Sequence, residues 1–373
     1  MSRIKITTIV GTRPELIRLS KIIDLFDANF EHRLIHTGQN SNKELRDIFY
    51  KDLNLRQPNK NLEYDSTSLA KSLSDLFLGI ESELTQHRPD GIVILGDTNS
   101  GLTCIIAKRM GIPVYHLEAG NRSYDLNVPE EINRRIIDHT SDFNLVYSEH
   151  ARRNLLNEGI NPRHICLIGS PMREVISANI QRIDESVVLN HLGLHEGKFL
   201  LVSAHRQENI NDKERLDVLI ASINQVAENL QLRMIFTSHP RMSSKIKNNS
   251  STAHPLIEFH APFGFLDYCK LQKSALLTIS DSGSISEESA ILGFKALTYR
   301  DSMERPEALE ANGILMAGIN FGNLMPAINW TLSDLSLREV PEEYNIENTS
   351  SRVVNYILST IKNFHEWTGV RKL

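Results

Sequence analysis

Cysteine, tryptophan and long apolar runs are all scarce in this chain. It has 3 cysteines and 2 tryptophans among 373 residues. Cys104, Cys166 and Cys269 are odd in number and match no zinc or redox spacing. That argues against a disulfide framework and for thiols in a reducing cytoplasm. No apolar stretch approaches a membrane span, and the run Ile4–Val10 is too short for a signal peptide. A membrane partner is therefore not expected, and the chain is expected to be cytoplasmic. A basic excess is missing too: 41 Lys and Arg stand against 46 Asp and Glu, a net charge of −5. That balance argues against a phosphate-tracking surface and so against nucleic acid as a partner. What remains is an ordinary globular composition, 40% hydrophobic and 23% charged, at a length that suits two domains.

Strand and helix patterns alternate from the first residues. Ile4–Val10 is β-branched and apolar, as a buried parallel strand should be. Further strands are predicted at His32–His36, Gly91–Leu95, Pro113–Leu117, Phe143–Val146 and His164–Ile168. Leu69, Leu73, Leu76, Ile80 and Leu84 recur at helical spacing and predict an amphipathic helix. The pattern restarts with strands at Phe199–Ser203, Met234–Thr237, Leu256–His260, Leu276–Ser280 and Ala296–Tyr299, with a helix over Lys213–Leu230. Such alternation predicts an α/β chain of two Rossmann-like, doubly wound domains with a cleft between them. The first would run to about residue 170 and the second from there to about 350. A last amphipathic helix begins at about Ser351.

Ligands of doubly wound sheets bind beyond the carboxyl ends of the strands, so the residues there carry the chemistry. After the first strand comes Gly11-Thr12-Arg13-Pro14-Glu15. Thr12 and Glu15 have capping-box spacing, and the amides with Arg13 offer an anion site. A well-capped helix with a surface arginine fits the same residues. A second turn, Ser280-Asp281-Ser282-Gly283-Ser284-Ile285-Ser286-Glu287-Glu288, again has capping-box spacing at Ser284 and Glu287 and reads as a phosphate nest. It lacks a dinucleotide fingerprint and a Walker lysine, so NAD and ATP fit poorly. Glu288 would suit a ribose diol better than a phosphate. Asp97, Glu118, Glu130 and Glu131 follow strands of the first half, and His205 and Arg206 follow a strand of the second. Each alone is more often a cap or a solvated side chain. As a cluster they suit proton transfer on a substrate whose other end is a diphosphate. His32 and His36 lie four apart on a strand, which is not a helical zinc pair, so no metal is expected.

The segments Gly11-Thr12-Arg13-Pro14-Glu15, His36-Thr37-Gly38-Gln39-Asn40, Gly96-Asp97-Thr98, Glu118-Ala119-Gly120, Pro129-Glu130-Glu131-Ile132-Asn133-Arg134, His205-Arg206, His239-Pro240-Arg241, Asp281-Ser282-Gly283 with Glu287-Glu288, and Glu304-Arg305-Pro306-Glu307 occur in this order. Together they resemble the non-hydrolysing UDP-N-acetylglucosamine 2-epimerase family over nearly the whole chain. The resemblance implies a glycosyltransferase-B-type fold whose last helix returns to the first domain. It implies a cofactor-free and metal-free C2 inversion of a UDP-2-acetamido sugar, in which UDP leaves to give a 2-acetamidoglycal and then adds back. It also implies a homodimer.

By the same resemblance the acid/base candidates are Asp97, Glu118, Glu130 and His205. Arg13, His205, Ser282 and Gly283 match diphosphate positions. Ser284 stands where many relatives have glycine, and Arg18 where relatives often have lysine. Glu288 matches the uridine-ribose carboxylate, and Phe265 lies where uracil is held. His239, Arg241 and Arg305 complete the substrate-binding set. Asp97-Thr98-Asn99-Ser100, Gly120-Asn121-Arg122, Asp138-His139-Thr140 and Gly169-Ser170-Pro171-Met172 are similar to the branch that acts on UDP-2-acetamido-2,6-dideoxy-L-hexoses. The expected substrate is therefore UDP-2-acetamido-2,6-dideoxy-L-talose, converted to UDP-N-acetyl-L-fucosamine. Interconversion of UDP-N-acetylglucosamine and UDP-N-acetylmannosamine is the alternative. A hydrolysing relative, a retaining glycosyltransferase and a non-catalytic UDP-sugar sensor rank lower.

Overall fold

The computed structural model describes residues 3–39, 43–63, 65, 67–204, 213–238, 253–334 and 339–370. The chain divides into two compact units, Met1–Ser177 with Asn345–Leu373, and Ala178–Tyr344.

The first unit is built on seven strands: β1 (Lys5–Val10), β2 (Glu31–His36), β3 (Lys60–Asn61), β4 (Gly91–Leu95), β5 (Val114–Leu117), β6 (Phe143–Val146) and β7 (Ile165–Leu167). Their order across the sheet is β3-β2-β1-β4-β5-β6-β7 and every pairing is parallel. Helices α1 (Arg13–Asn29), α2 (Lys43–Asp52), α3 (Leu69–Gln86), α4 (Cys104–Arg109), α5 (Pro129–Thr140) and α6 (Glu149–Asn157) connect them. Both faces are therefore covered, which is why β4 is buried along its whole length. Ile9, Ile35, Ile92, Ile94 and Val114 of the strands pack with Leu76, Ile80 and Leu84 of α3 and Ile137 of α5.

Two local differences from the sequence reading have plain causes. Leu69 is 65% exposed although it is in phase with Leu76 and Ile80. It is the first helical residue after the Ser68 cap, so its turn projects past the core. The helix expected after Ser100 begins as a 3-10 turn over Asn99–Thr103, where Thr98 accepts the Ser100 amide. There Gly101 packs tightly on α5: a Cβ on it would come within 2.5 Å of Ile137.

Helices α7 (Met172–Asp184) and α8 (Val188–Leu192) follow β7, and the unit boundary falls inside α7. The second unit has strands β8 (Phe199–Ala204), β9 (Arg233–Ser238), β10 (Ile257–His260), β11 (Leu277–Ser280), β12 (Ala296–Thr298) and β13 (Leu315–Met316). They are again parallel, in the order β10-β9-β8-β11-β12-β13. Its helices are α9 (Lys213–Leu230), α10 (Phe265–Ser274), α11 (Ile285–Leu292), α12 (Pro306–Glu310) and α13 (Phe321–Ser333). Leu200, Val202, Met234, Phe236, Leu277 and Ile279 form the core with Leu219, Ile223 and Val226 of α9. Each sheet reverses direction at its first strand, between β1 and β4 and between β8 and β11. Those two switch points are where ligands of such sheets bind.

The last helices, α14 (Thr349–Thr360) and α15 (Phe364–Thr368), belong to the first unit. Thr349 donates to the Ile168 and Ser170 carbonyls, and the Ser350 amide donates to Glu174 at 2.8 Å. The Tyr115 and Thr360 hydroxyls lie 2.9 Å apart, and Ile357 and Phe364 are fully buried. No helix among the described residues is long and apolar enough to cross a membrane.

Replacing buried Ile357 by Ala removes a core side chain without touching any strand end. It is expected to destabilise the first unit by about 2–5 kcal/mol in denaturant titration. A loss well under 1 kcal/mol would contradict the packing of α14 described here.

Candidate active site

The switch point of the first sheet is closed by one buried carboxylate. Glu15, in the first turn of α1, accepts the Gly11 amide at 2.5 Å and the Thr12 amide at 2.8 Å through Oε2. Through Oε1 it accepts the Thr98 hydroxyl from the loop after β4. Gly11 must be glycine, because a Cβ there would come within 2.1 Å of the Ser100 hydroxyl and 2.3 Å of the Thr37 hydroxyl. Two of the amides expected to offer an anion site at the start of α1 are thus taken by the protein's own carboxyl group. Arg13 is half-buried, with its guanidinium 5.6 Å from the Phe49 ring centroid, and burial lowers its pKa.

Next to Glu15 lies a four-membered charged network. Glu118, at the end of β5, has a left-handed backbone with φ of +62° and a side chain only 9% exposed. Its Oε2 is 3.2 Å from Arg18 Nε, and its Oε1 is 3.3 Å from Arg134. The same Arg134 nitrogen pairs with Asp97, and its other terminal nitrogen donates to the Glu118 carbonyl. Two carboxylates from neighbouring strand ends are thus gathered by one buried guanidinium. Asn133 reaches the same loop, donating to the Asp97 carbonyl at 3.0 Å. Glu130 sits exposed in the first turn of α5.

The sequence reading did not select Arg134. Its signal was phase: on α5 it falls on the face that also buries Glu131, Ile137 and Asp138. A charge repeating on a buried face needs a partner, and here the partners are Asp97 and Glu118.

In the second unit, Ser280 through Ser284 forms the loop between β11 and α11. The Ser282 amide donates to the Ser280 hydroxyl at 3.0 Å, and the Ser284 amide to the Ser282 hydroxyl at 3.3 Å. The capping box expected at Ser284 and Glu287 does not form. The Ser284 hydroxyl lies 2.9 Å from that of Ser282, and Glu287 faces Arg305 at 3.4 Å. Arg305 is almost fully buried and donates to the Gly283 carbonyl, so it braces the loop from behind. Arg300, paired with Glu304 at 2.6 Å, lies beside Gly283 as well. Glu288 accepts from Gln272 at 2.6 Å, and Phe265 is buried at the start of α10. Tyr268 donates to the Ser203 hydroxyl, which donates to Ser280, so hydroxyls join the ends of β8 and β11. Tyr268 and Gln272 carried no sequence signal, because each lies inside α10 without a motif, and Arg300, two residues past the end of β12, was not selected.

His205, His239 and Arg241 lie outside the described residues, as does Arg206. His32 and His36 both lie on β2. His32 lies 2.6 Å from Asp27 and 2.9 Å from the Thr8 hydroxyl, and burial lowers its pKa to about 4. His36 accepts the Gly38 amide at 3.0 Å. Among the described residues, no group of three or more His, Cys, Asp or Glu is placed to hold a metal ion.

Burial raises the Glu15 carboxyl from its ordinary value of 4.5 to about 7, against hydrogen bonds from Thr98, Gly11 and Thr12, with Asp97 adding to the rise. Between those values the folded chain keeps a proton that the unfolded chain has released. Stability therefore falls as pH rises from about 4.5 to about 7. Glu15→Gln should flatten that part of the denaturant-midpoint curve. An unchanged slope would contradict the assignment.

Comparison with known proteins fits this architecture. A protein-family profile described as UDP-N-acetylglucosamine 2-epimerase matches residues 25–358. The chain is 34% identical to UDP-N-acetylglucosamine 2-epimerase of Methanocaldococcus jannaschii, over 88% of this chain and 92% of that one. The structure of UDP-N-acetylglucosamine 2-epimerase from Rickettsia bellii superposes with a TM-score of 0.93 at 36% identity, covering 98% of this chain and 100% of the other. The M. jannaschii enzyme solved in complex with UDP-GlcNAc and UDP gives 0.90 at 32% identity, covering 95% and 100%. The likeness extends to the whole two-domain, glycosyltransferase-B-type fold. The chain is an isomerase belonging to the UDP-N-acetylglucosamine 2-epimerase family.

Proposed function

We propose that the chain inverts C2 of UDP-2-acetamido-2,6-dideoxy-L-talose, giving UDP-N-acetyl-L-fucosamine by elimination and re-addition of UDP. The observation that carries the chemistry is the pair Asp97 and Glu118, held by Arg134 at the switch point of the first sheet. A base removes the C2 proton, and the C–H electron pair becomes the C1–C2 double bond. The C1–O bond breaks, and its pair leaves on the diphosphate. UDP then adds back to C1 while an acid delivers a proton to the opposite face of C2. Asp97, Glu118, Glu130 and His205 form the acid/base set in this reading. The C2 proton is only weakly acidic, so departure of the diphosphate has to be stabilised strongly.

The diphosphate falls to the second unit for a physical reason. The Ser282 and Ser284 amides donate only to neutral hydroxyls, which a charged phosphate oxygen can replace with gain. The Gly11 and Thr12 amides already hold a carboxyl group. Ser282, Gly283 and the Ser284 amide would take the diphosphate with Arg13 and His205, while Glu288 takes the ribose and uracil is held at Phe265; His239 and Arg241 belong to the wider substrate-binding set, and Arg305 serves it by bracing the loop. Arg18, beside Glu118, would sit at the sugar end. The 6-deoxy substrate rests on the branch resemblance in the loops around Asp97, Gly120 and Asp138. The names of the relatives support a second reading, interconversion of UDP-N-acetylglucosamine and UDP-N-acetylmannosamine.

The test is incubation with each UDP-sugar in deuterated water, without acceptor or metal. Deuterium at C2 of the 6-deoxy-L-talo substrate and a C2 epimer still bearing UDP are expected. Turnover of UDP-N-acetylglucosamine alone would select the second reading. Free sugar with UDP would point to hydrolysis, and no incorporation into either sugar would overturn the proposal. Glu118→Gln should lower turnover by roughly 100- to 10,000-fold with the fold intact. Unchanged turnover would remove Glu118 from the acid/base set.

A further inference from the structure

We propose that Asp138 is a positioning residue for the reaction. By pairing with His116 and gripping the Gly120 amide, it holds the Glu118 turn against the Gly96-Asp97 turn. The inference rests on the functional reading of Asp97 and Glu118, but its geometry stands on the residues beneath them. Asp138 lies one helical turn beyond Arg134 on α5, so one helix face serves both. Arg134 pairs with the two carboxylates, and Asp138 takes the Gly120 amide two residues beyond Glu118 and His116 two residues before it.

The turn needs such support. Glu118 and Gly120 both have left-handed backbones, with φ of +62° and +79°. That conformation is costly for a residue with a side chain unless its surroundings impose it. Asp138 accepts the Gly120 amide through both oxygens, at 3.3 and 3.2 Å. From the other side, Asn154 donates to the Gly120 carbonyl at 2.9 Å. His116, fully buried on β5, spans the gap between the two turns. Its Nε2 lies 2.8 Å from the Gly96 carbonyl, and its Nδ1 lies 2.8 Å from Asp138 Oδ1. The remaining charges around Asp138 are Arg122, which donates to it at 2.7 Å and to Glu158 on its far side, and Arg134. Burial alone would push the Asp138 carboxyl up, but His116, Arg122 and Arg134 outweigh it and hold it below the ordinary range. It is therefore a fixed negative charge at neutral pH. Asp138 bonds to neither the Asp97 nor the Glu118 carboxylate; it acts on them through the Gly120 amide, through His116 and through the charge of Arg134.

The test compares the unaltered chain with Asp138→Asn, and with His116→Gln, which keeps a donor for the Gly96 carbonyl and carries the test if the first variant does not fold. Turnover should fall by about 100-fold, the size expected for a displacement of about 1 Å. KM and UDP affinity by calorimetry should change by less than about threefold, on the same reasoning that ground-state binding is untouched. The ratio of C2 deuterium exchange to net inversion should also change, because the two carboxylates no longer face the two sides of C2 equally. A crystal structure of either folded variant should show Glu118 outside the left-handed region. An unchanged Glu118 backbone would overturn the proposal. So would wild-type turnover, or a loss of turnover matched by an equal loss of UDP affinity. If the unaltered chain inverts no UDP-sugar, the functional reading fails, and the crystal structure still decides the role of Asp138.

Discussion

One buried guanidinium organises the first unit's strand ends. Arg134 is 2% exposed, and it pairs with Asp97 after β4 and with both the side chain and the carbonyl of Glu118 after β5. A charge in that position is costly unless it is paired, and removing one partner strands the others. The arrangement therefore holds three loops in a single geometry: the turn after β4, the turn after β5 and the start of α5. Glu15 does the same for the start of α1, fastening it to the Thr98 loop. Together the two residues turn a generic Rossmann switch point into one where two carboxylates stand side by side.

The second unit uses a different chemistry at the equivalent place. Its switch point is lined by the hydroxyls of Ser203, Ser280, Ser282 and Ser284, with Tyr268 joined to them. The charged residues, Glu287 with Arg305 and Glu304 with Arg300, lie behind the loop and brace it. In the proposed reading the hydroxyl-lined turn receives the diphosphate, and the turns that hold the paired carboxylates move protons. The same topology thus supports two tasks, and the difference lies in which side chains close the turns.

Much of this was readable in the sequence. Buried apolar strands announce themselves, and β4 and α9 fall where an apolar run and helical periodicity put them. The edge strands Lys60–Asn61 and Leu315–Met316 were not readable, because two residues carry no period and gain strand identity only from a neighbour. The capping-box spacing occurs twice and forms its carboxylate contact once. Glu15 is held by the Gly11 and Thr12 amides and the Thr98 hydroxyl, while Glu287 is drawn to Arg305, which lies beyond strand β12 in the sequence. Asp97 and Glu118 were legible because they follow strands. His116 was not, and Arg134 and Asp138 stood in recognised segments without a role of their own, since a polar residue inside an element does not show its partner. Their meaning comes from long-range pairing, which appears only when β4, β5 and α5 are brought together.

The central claim is that the C1–oxygen bond of a UDP-sugar is broken and remade while C2 inverts. Substrate carrying oxygen-18 in the bridge between C1 and the β-phosphorus measures this directly. The account predicts that recovered UDP-sugar has label scrambled into the non-bridging β-phosphate positions at a rate comparable with C2 inversion. Inversion at C2 with all of the label still in the bridge would contradict it.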